Sequence, residues 1–117
     1  MITLEVGEAR IFVRPGTTDM RKQINGLAVI VEQQMEANVF EPALFLFCNS
    51  ARRILKALYW DRNGFCLWQK RLEKHRFPWP RNADAARREI DSQKLQMLLE
   101  GIDFWSAHQE LHYTQVS

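Results

Sequence analysis

Cysteine is scarce in this chain: Cys48 and Cys66 are the two among 117 residues. Each lies inside an apolar run, LFLFC or GFCLW, rather than in a spaced framework, so buried thiols in a reducing compartment are expected in place of a disulfide scaffold. Glycine is sparse too, and the five, at Gly7, Gly16, Gly26, Gly64 and Gly101, are too scattered to form a phosphate-cradling loop. No apolar run approaches the roughly 20 residues that cross a bilayer. The opening MITLEVGEARIF lacks the basic start and apolar segment of a secretory leader. A cytoplasmic protein with no membrane partner is the expectation. With 46% hydrophobic and 26% charged residues, 1–117 reads as one domain with a single core and a frayed tail over about 106–117.

Catalytic constellations are missing as well. A metal site assembled from Cys48, Cys66, His108 and His112 would lack the short cysteine spacing that zinc sites use, so no metal is expected. His75 sits in the solvated run LEKHR with no partner to make it the base of a nucleophile. A metal-dependent nuclease would need clustered carboxylates. Asp61 is followed by Gln69-Lys70-Arg71, without a second acid, and is better read as the first residue of a turn. No enzyme and no cofactor is therefore expected.

What the chain does have is an uneven charge. Between Ser50 and Arg88 there are eleven bases against three acids, whereas the segment before carries four against six and the segment after one against five. A positive middle flanked by acidic ends points to an anionic partner. Phosphate contacts of this kind give salt-dependent, largely sequence-independent binding.

Local patterns outline the elements. ARIFVRPG alternates Ile11 and Val13 with Arg10, Phe12 and Arg14, a half-buried strand stopped by Pro-Gly. Thr17, Thr18 or Asp19 offers a cap for an amphipathic helix over about 18–37, in which Gly26 suggests close packing against the sheet. ALFLFC, without alternation, reads as a central strand covered on both faces. ILKALYW and FCLWQKRL flank Asp61-Arg62-Asn63-Gly64, a strong hairpin signal. A three-residue or a four-residue loop would exchange the facing partners. In either register aromatic residues cluster near the turn, and Arg52, Arg53, Lys56, Lys70, Arg71 and Lys74 gather toward the open end. Phe77 and Trp79, between prolines, read as anchors of an extended segment. Residues 81–89 read as a loop or short helix. Asp91 or Ser92 then caps a helix carrying Leu95, Leu98, Leu99 and Ile102, with Gly101 as its stop. The tryptophans are assigned to packing rather than to base stacking.

Several of these stretches resemble a known family. They are Thr18-Asp19-Met20-Arg21-Lys22 with Gly26-Leu27, Lys56 with Leu58-Tyr59-Trp60-Asp61, Asn63-Gly64-Phe65-Cys66-Leu67-Trp68, Lys70-Arg71-Leu72-Glu73, Phe77 with Trp79-Pro80, and Leu98-Leu99-Glu100-Gly101-Ile102-Asp103. In this order they are similar to the accessory proteins encoded beside the transposase in the sixty-six group of bacterial insertion sequences. Gln23 stands where glycine is usual, and Asn49-Ser50-Ala51 replaces part of a more basic run, which sets 48–51 outside the expected binding surface. The resemblance implies a non-catalytic role in transposition, with DNA at the element ends, the transposase, or both as partner. Two alternatives stand beside it: a pure protein-interaction module and a metal-dependent nuclease. The expected structure is α+β, an antiparallel sheet of about four strands with two main helices packed on it. The expected binding residues are Arg52, Arg53, Lys56, Lys70, Arg71, Lys74 and Arg76, joined by Arg21 and Lys22 in the first turn of a helix, where backbone N–H groups favour phosphate.

Overall fold

The structure, a computed structural model, describes residues 9–105. ALFLFC forms strand β2 (Ala43–Cys48), with all six side chains buried. A strand buried on both faces needs cover on both, and successive side chains point to opposite sides. Leu44, Leu46 and Cys48 join one core cluster, while Ala43, Phe45 and Phe47 join the other.

β2 occupies the middle of a five-stranded sheet. β1 (Arg10–Val13) runs parallel to it, with Phe12 opposite Phe45 and their rings stacked at 5.7 Å. A parallel pair requires a crossover. Helix α1 (Ile24–Gln33) supplies it, laying Leu27, Ile30 and Val31 on the Phe12 and Phe45 face. The other pairings are antiparallel: β3 (Ile54–Asp61) on β2, β4 (Gly64–Arg71) on β3, and β5 (Arg88–Ile90) on the remaining edge of β1. The strand order is thus β4-β3-β2-β1-β5. Helix α2 (Ser92–Leu99) covers the second face with Leu95 and Leu98, beside Phe77, Trp79 and Phe104. The fold is α+β, as the sequence implies, with five strands rather than about four and one parallel pair among them.

Differences from the sequence expectations have local causes. α1 begins at Ile24, not near Thr18, because Asp19 closes a turn of its own. Its carboxylate accepts the backbone N–H of Arg21 at 2.9 Å and the Arg21 guanidinium at 2.7 Å. Gln23 stands at the cap position before Ile24 and makes no side-chain cap bond. Arg21 and Lys22 therefore precede the helix rather than forming its first turn. Gly26 approaches the side chain of Lys22, where a Cβ would lie 3.2 Å from Lys22 Cβ, and not the sheet. β1 is buried on both faces rather than one, since Ile11, Phe12 and Val13 are all enclosed and Arg10 alone is exposed. The guanidiniums of Arg10 and Arg87 lie 4.8 and 5.2 Å from the Phe12 ring centre. Asp61 pairs with Gly64, so the hairpin loop is the two residues Arg62-Asn63, with Arg62 at φ 55°. The stretch expected as loop or short helix ends instead in β5.

Other expectations hold. Asp91 Oδ1 accepts the Lys94 N–H at 2.8 Å at the start of α2, and Gly101, at φ 80°, turns the chain away after its end. Phe77 and Trp79 anchor the proline segment, and Trp79 Nε1 donates to the Arg14 carbonyl at 2.9 Å. Cys48 is buried, Cys66 is half-buried, and both are free. His108, His112 and the expected frayed tail lie outside the described residues.

Leu46→Ala in the middle of β2 is expected to lower unfolding stability by about 2–5 kcal/mol in a denaturant titration. Burial pushes the Cys48 thiol up to about 12. In the native protein near neutral pH a thiol reagent is therefore expected to modify Cys66 and to reach Cys48 only on unfolding.

Candidate nucleic-acid interface

The strand pairings bring three connections to one end of the sheet. Val13 lies opposite Leu46 and Arg88, Cys48 opposite Leu55, and Ile54 opposite Arg71. Loops 14–23, 49–53 and 72–87 consequently meet where the parallel strands β1 and β2 end and the hairpin opens.

Hydrogen bonding separates the bases of this region into three sets. In the first, the charge holds the fold. Lys56 is 2% exposed, and its Nζ donates to the carbonyls of Met20 and Lys22, both at 2.9 Å. Burial keeps its pKa below the ordinary lysine value. Lys70 Nζ donates to the Leu99 carbonyl at 2.9 Å, tying β4 to the end of α2. Arg53 Nη1 donates to the Glu73 carbonyl at 3.0 Å, and Arg87 Nη1 to those of Met35 and Glu36. Lys56 and Lys70 also stand on opposite faces of the sheet, because Lys56 shares the α1 side with Leu58 while Lys70 faces Leu55.

In the second set each charge has an acid. Arg71 pairs with Glu73 at 2.9 Å, Arg88 with Asp84 at 3.1 Å, and Arg21 with Asp19. The hydrogen bonds from Arg21 hold the Asp19 carboxyl down to about 2. These pairs are exposed, so each carries little stability and is open to exchange for another anion. The third set is Arg52, Arg62, Lys74, Arg76 and Arg81, which enter no ion pair among the described residues. Arg62 sits at the far end, on the hairpin turn. Arg52, Lys74, Arg76 and Arg81 share the open end: the Arg52 carbonyl accepts the Phe77 N–H at 2.7 Å, so 74–76 leave the sheet beside Arg52. Lys22, exposed, borders the same loops through its carbonyl.

Beside a groove of about 640 Å³ lined by residues 17–21 with Asn49 and Ser50, two crevices open between these loops. One, of about 360 Å³, is lined by Gly16, Thr17, Asn49, Ser50, Arg52, Trp79, Pro80 and Arg81. The other, of about 420 Å³, lies across the proline segment and shares Arg52 and Arg81, with Asp103 and Trp105 on its rim. Arg81, Thr17 and Thr18 are absent from the sequence-based set, and Asn49 and Ser50 were excluded from it by their lack of charge. Only the folded loops bring them to the arginines. At the opposite end Phe40, 54% exposed, packs against Trp60 and Phe65 with ring centres 5.1 and 5.5 Å away. Among the described residues no three His, Cys, Asp or Glu side chains come together as a metal site requires.

A family model described as IS66 Orf2 like protein matches residues 9–109. The chain is 37% identical over 101 residues to a Sinorhizobium fredii protein described as uncharacterized protein y4hO, covering 86% of each chain. It is 30% identical over 95 residues to uncharacterized protein y4jC of the same organism, covering 81% of this chain and 80% of the relative. No solved structure matches.

Lys56→Ala removes a buried side chain that donates to the carbonyls of Met20 and Lys22, and is expected to cost about 1–3 kcal/mol in unfolding stability. Lys74→Ala is expected to stay within about 0.5 kcal/mol of the parent in the same denaturant titration.

Proposed function

Since the chain belongs to the family of IS66 Orf2-like proteins, the accessory proteins of an insertion-sequence group, we propose that it is a non-catalytic accessory of transposition that binds DNA through the open end of its sheet. The observation that carries this reading is the convergence of Arg52, Lys74, Arg76 and Arg81 at one end, with no acid paired to them among the described residues. Uncompensated guanidinium and ammonium groups side by side repel one another unless a polyanion or counterions attend them. Arg71, Arg21 and Lys22 extend the surface, the two arginines by exchanging a carboxylate for a phosphate. Lys56, Lys70 and Arg53 act behind it, fixing the loops by their bonds to backbone carbonyls. The protein acts on element DNA in the cytoplasm, and strand cleavage is left to a separate transposase.

A second contact is favoured by the aromatic end. Phe40, 54% exposed, with the half-buried Trp60 and Phe65 against it, makes an apolar face at the end away from Arg52, Lys74, Arg76 and Arg81, beside Arg62 on the hairpin turn, a character that suits contact with the transposase rather than with phosphate. DNA and transposase would then occupy opposite ends of one molecule.

Titration of short duplexes by fluorescence anisotropy at several salt concentrations tests the DNA reading. Binding is expected to weaken steeply with salt. The variant with Lys74→Ala, Arg76→Ala and Arg81→Ala is expected to bind more weakly, with a logarithmic salt slope shallower by about 3. Absence of binding at low salt, or a slope unchanged in the variant, would count against it.

A further inference from the structure

The crevice at the ends of β1 and β2 differs from a plain phosphate-binding surface. Its volume of about 360 Å³ falls in the range of small-ligand pockets, roughly 300–1,000 Å³. Its lining is mixed in a particular way. Trp79 and Pro80 give apolar walls, Thr17, Asn49 and Ser50 give hydroxyl and amide groups, and Arg52 and Arg81 stand at the side. Asn49 spends its Oδ1 on the backbone N–H groups of Arg53 and Ile54, at 2.9 and 3.1 Å, which holds the side chain in place and leaves its amide N–H groups to a ligand.

Two features of the backbone and one of the interior point the same way. Arg52 holds φ 59°, a left-handed conformation that arginine rarely adopts. Strain of this kind persists where surrounding bonds over-determine it, and here the Asn49 carbonyl accepts the Arg52 N–H at 3.0 Å while Arg52 accepts that of Phe77. Gly16, at φ 82°, faces it across the crevice, anchored by its N–H to the Pro80 carbonyl at 2.8 Å. The adjoining groove shares Thr17, Asn49 and Ser50 with the crevice and is also lined by Thr18. Thr18 is 7% exposed, yet its Oγ1 has no hydrogen-bond partner among the described residues. A buried hydroxyl without a partner is costly, so a ligand that reaches it gains a bond otherwise unmade. The position fits too, since ligand sites of open sheets lie beyond the carboxyl ends of parallel strands.

We propose that this crevice takes one unpaired nucleotide of the bound DNA, its base against Pro80 and the small part of Trp79 that the core leaves exposed, with Asn49, Ser50 and Thr17 at its polar edge, and its phosphates on Arg52 and Arg81. The inference rests on the DNA-binding reading and sharpens its substrate class from duplex in general to DNA carrying an unstacked base. A base inside a duplex cannot enter a concave pocket, whereas a bulged, frayed or flipped one can. Lys74 and Arg76 lie along the path by which the adjoining duplex would leave.

The test is anisotropy with two labelled probes at one salt concentration, a blunt duplex and the same duplex with a single-nucleotide bulge, the second measured also with excess free nucleoside monophosphate. The bulged duplex is expected to bind roughly tenfold more tightly than the blunt one, the size of one base-stacking contact. The preference is expected to fall toward unity in Ser50→Phe, which fills the crevice, and in Arg81→Ala. Thermal midpoints near that of the parent protein exclude misfolding of either variant, and the monophosphate is expected to compete only for the excess affinity. Equal, salt-dependent binding of both duplexes would overturn the crevice and leave the basic surface standing. A preference retained in Ser50→Phe would place the unpaired base elsewhere and overturn it as well. Failure of both duplexes to bind would overturn the crevice and the DNA reading together.

Discussion

Burial of β2 on both faces is the constraint from which the rest follows. Six consecutive apolar or small side chains leave no solvent face, so the strand must have neighbours on both edges and layers above and below. The parallel partner β1 forces a crossover, which places α1 over Phe12, Phe45 and Phe47. The opposite face is closed by α2 and by the proline segment, whose Trp79 is pinned to the Arg14 carbonyl. Because β1, β2 and β4 run one way and β3 and β5 the other, three connections meet at one end. The basic loops and the crevices are there for the same reason.

A second level of organisation is the division of the positive charge. The bases of the middle third are not one surface, for several are consumed in holding the loops that present the others. Lys56 joins the stretch before α1 to β3 through two carbonyls, Lys70 joins β4 to the end of α2, and Arg53 joins the start of β3 to the segment after β4. The bonds of Lys56 and Lys70 are part-buried and so partly shielded from salt, that of Arg53 is exposed, and Arg52, Lys74, Arg76 and Arg81 are arranged around the opening. A positive field at the rim is thereby built on positive charges that are themselves satisfied.

Much of the fold was legible because its signals are local. The Asp91 cap and Gly101 stop delimit α2 within a dozen residues, and Asn63-Gly64 announces the hairpin. The two-residue loop was not legible, since it depends on Arg62 adopting a left-handed conformation usually left to Gly or Asn. β5 was missed because Arg88-Glu89-Ile90 has little strand character of its own and forms on the edge of β1, with Arg10 and Glu89 bonded across the pair. The alternation of β1 sets Phe12 on one face with Arg10 and Arg14, yet the ring is buried and the guanidinium of Arg10 lies on it. In the candidate site, Lys56 looked like any surface lysine, and its two carbonyl acceptors lie more than thirty residues away in the chain. The crevice is legible only in three dimensions, being assembled from loops around Gly16, Asn49 and Trp79.

The central claim is that the ligand-binding end is the one where β1 and β2 terminate. The most direct measurement is a map of backbone amide chemical-shift changes by NMR as a short duplex is added to labelled protein. The account predicts that the largest changes fall on Gly16, Thr17, Thr18, Asn49, Ser50, Arg52, Lys74, Arg76 and Arg81. Changes concentrated instead around Phe40, Trp60 and Phe65, or spread evenly over the surface, would contradict it.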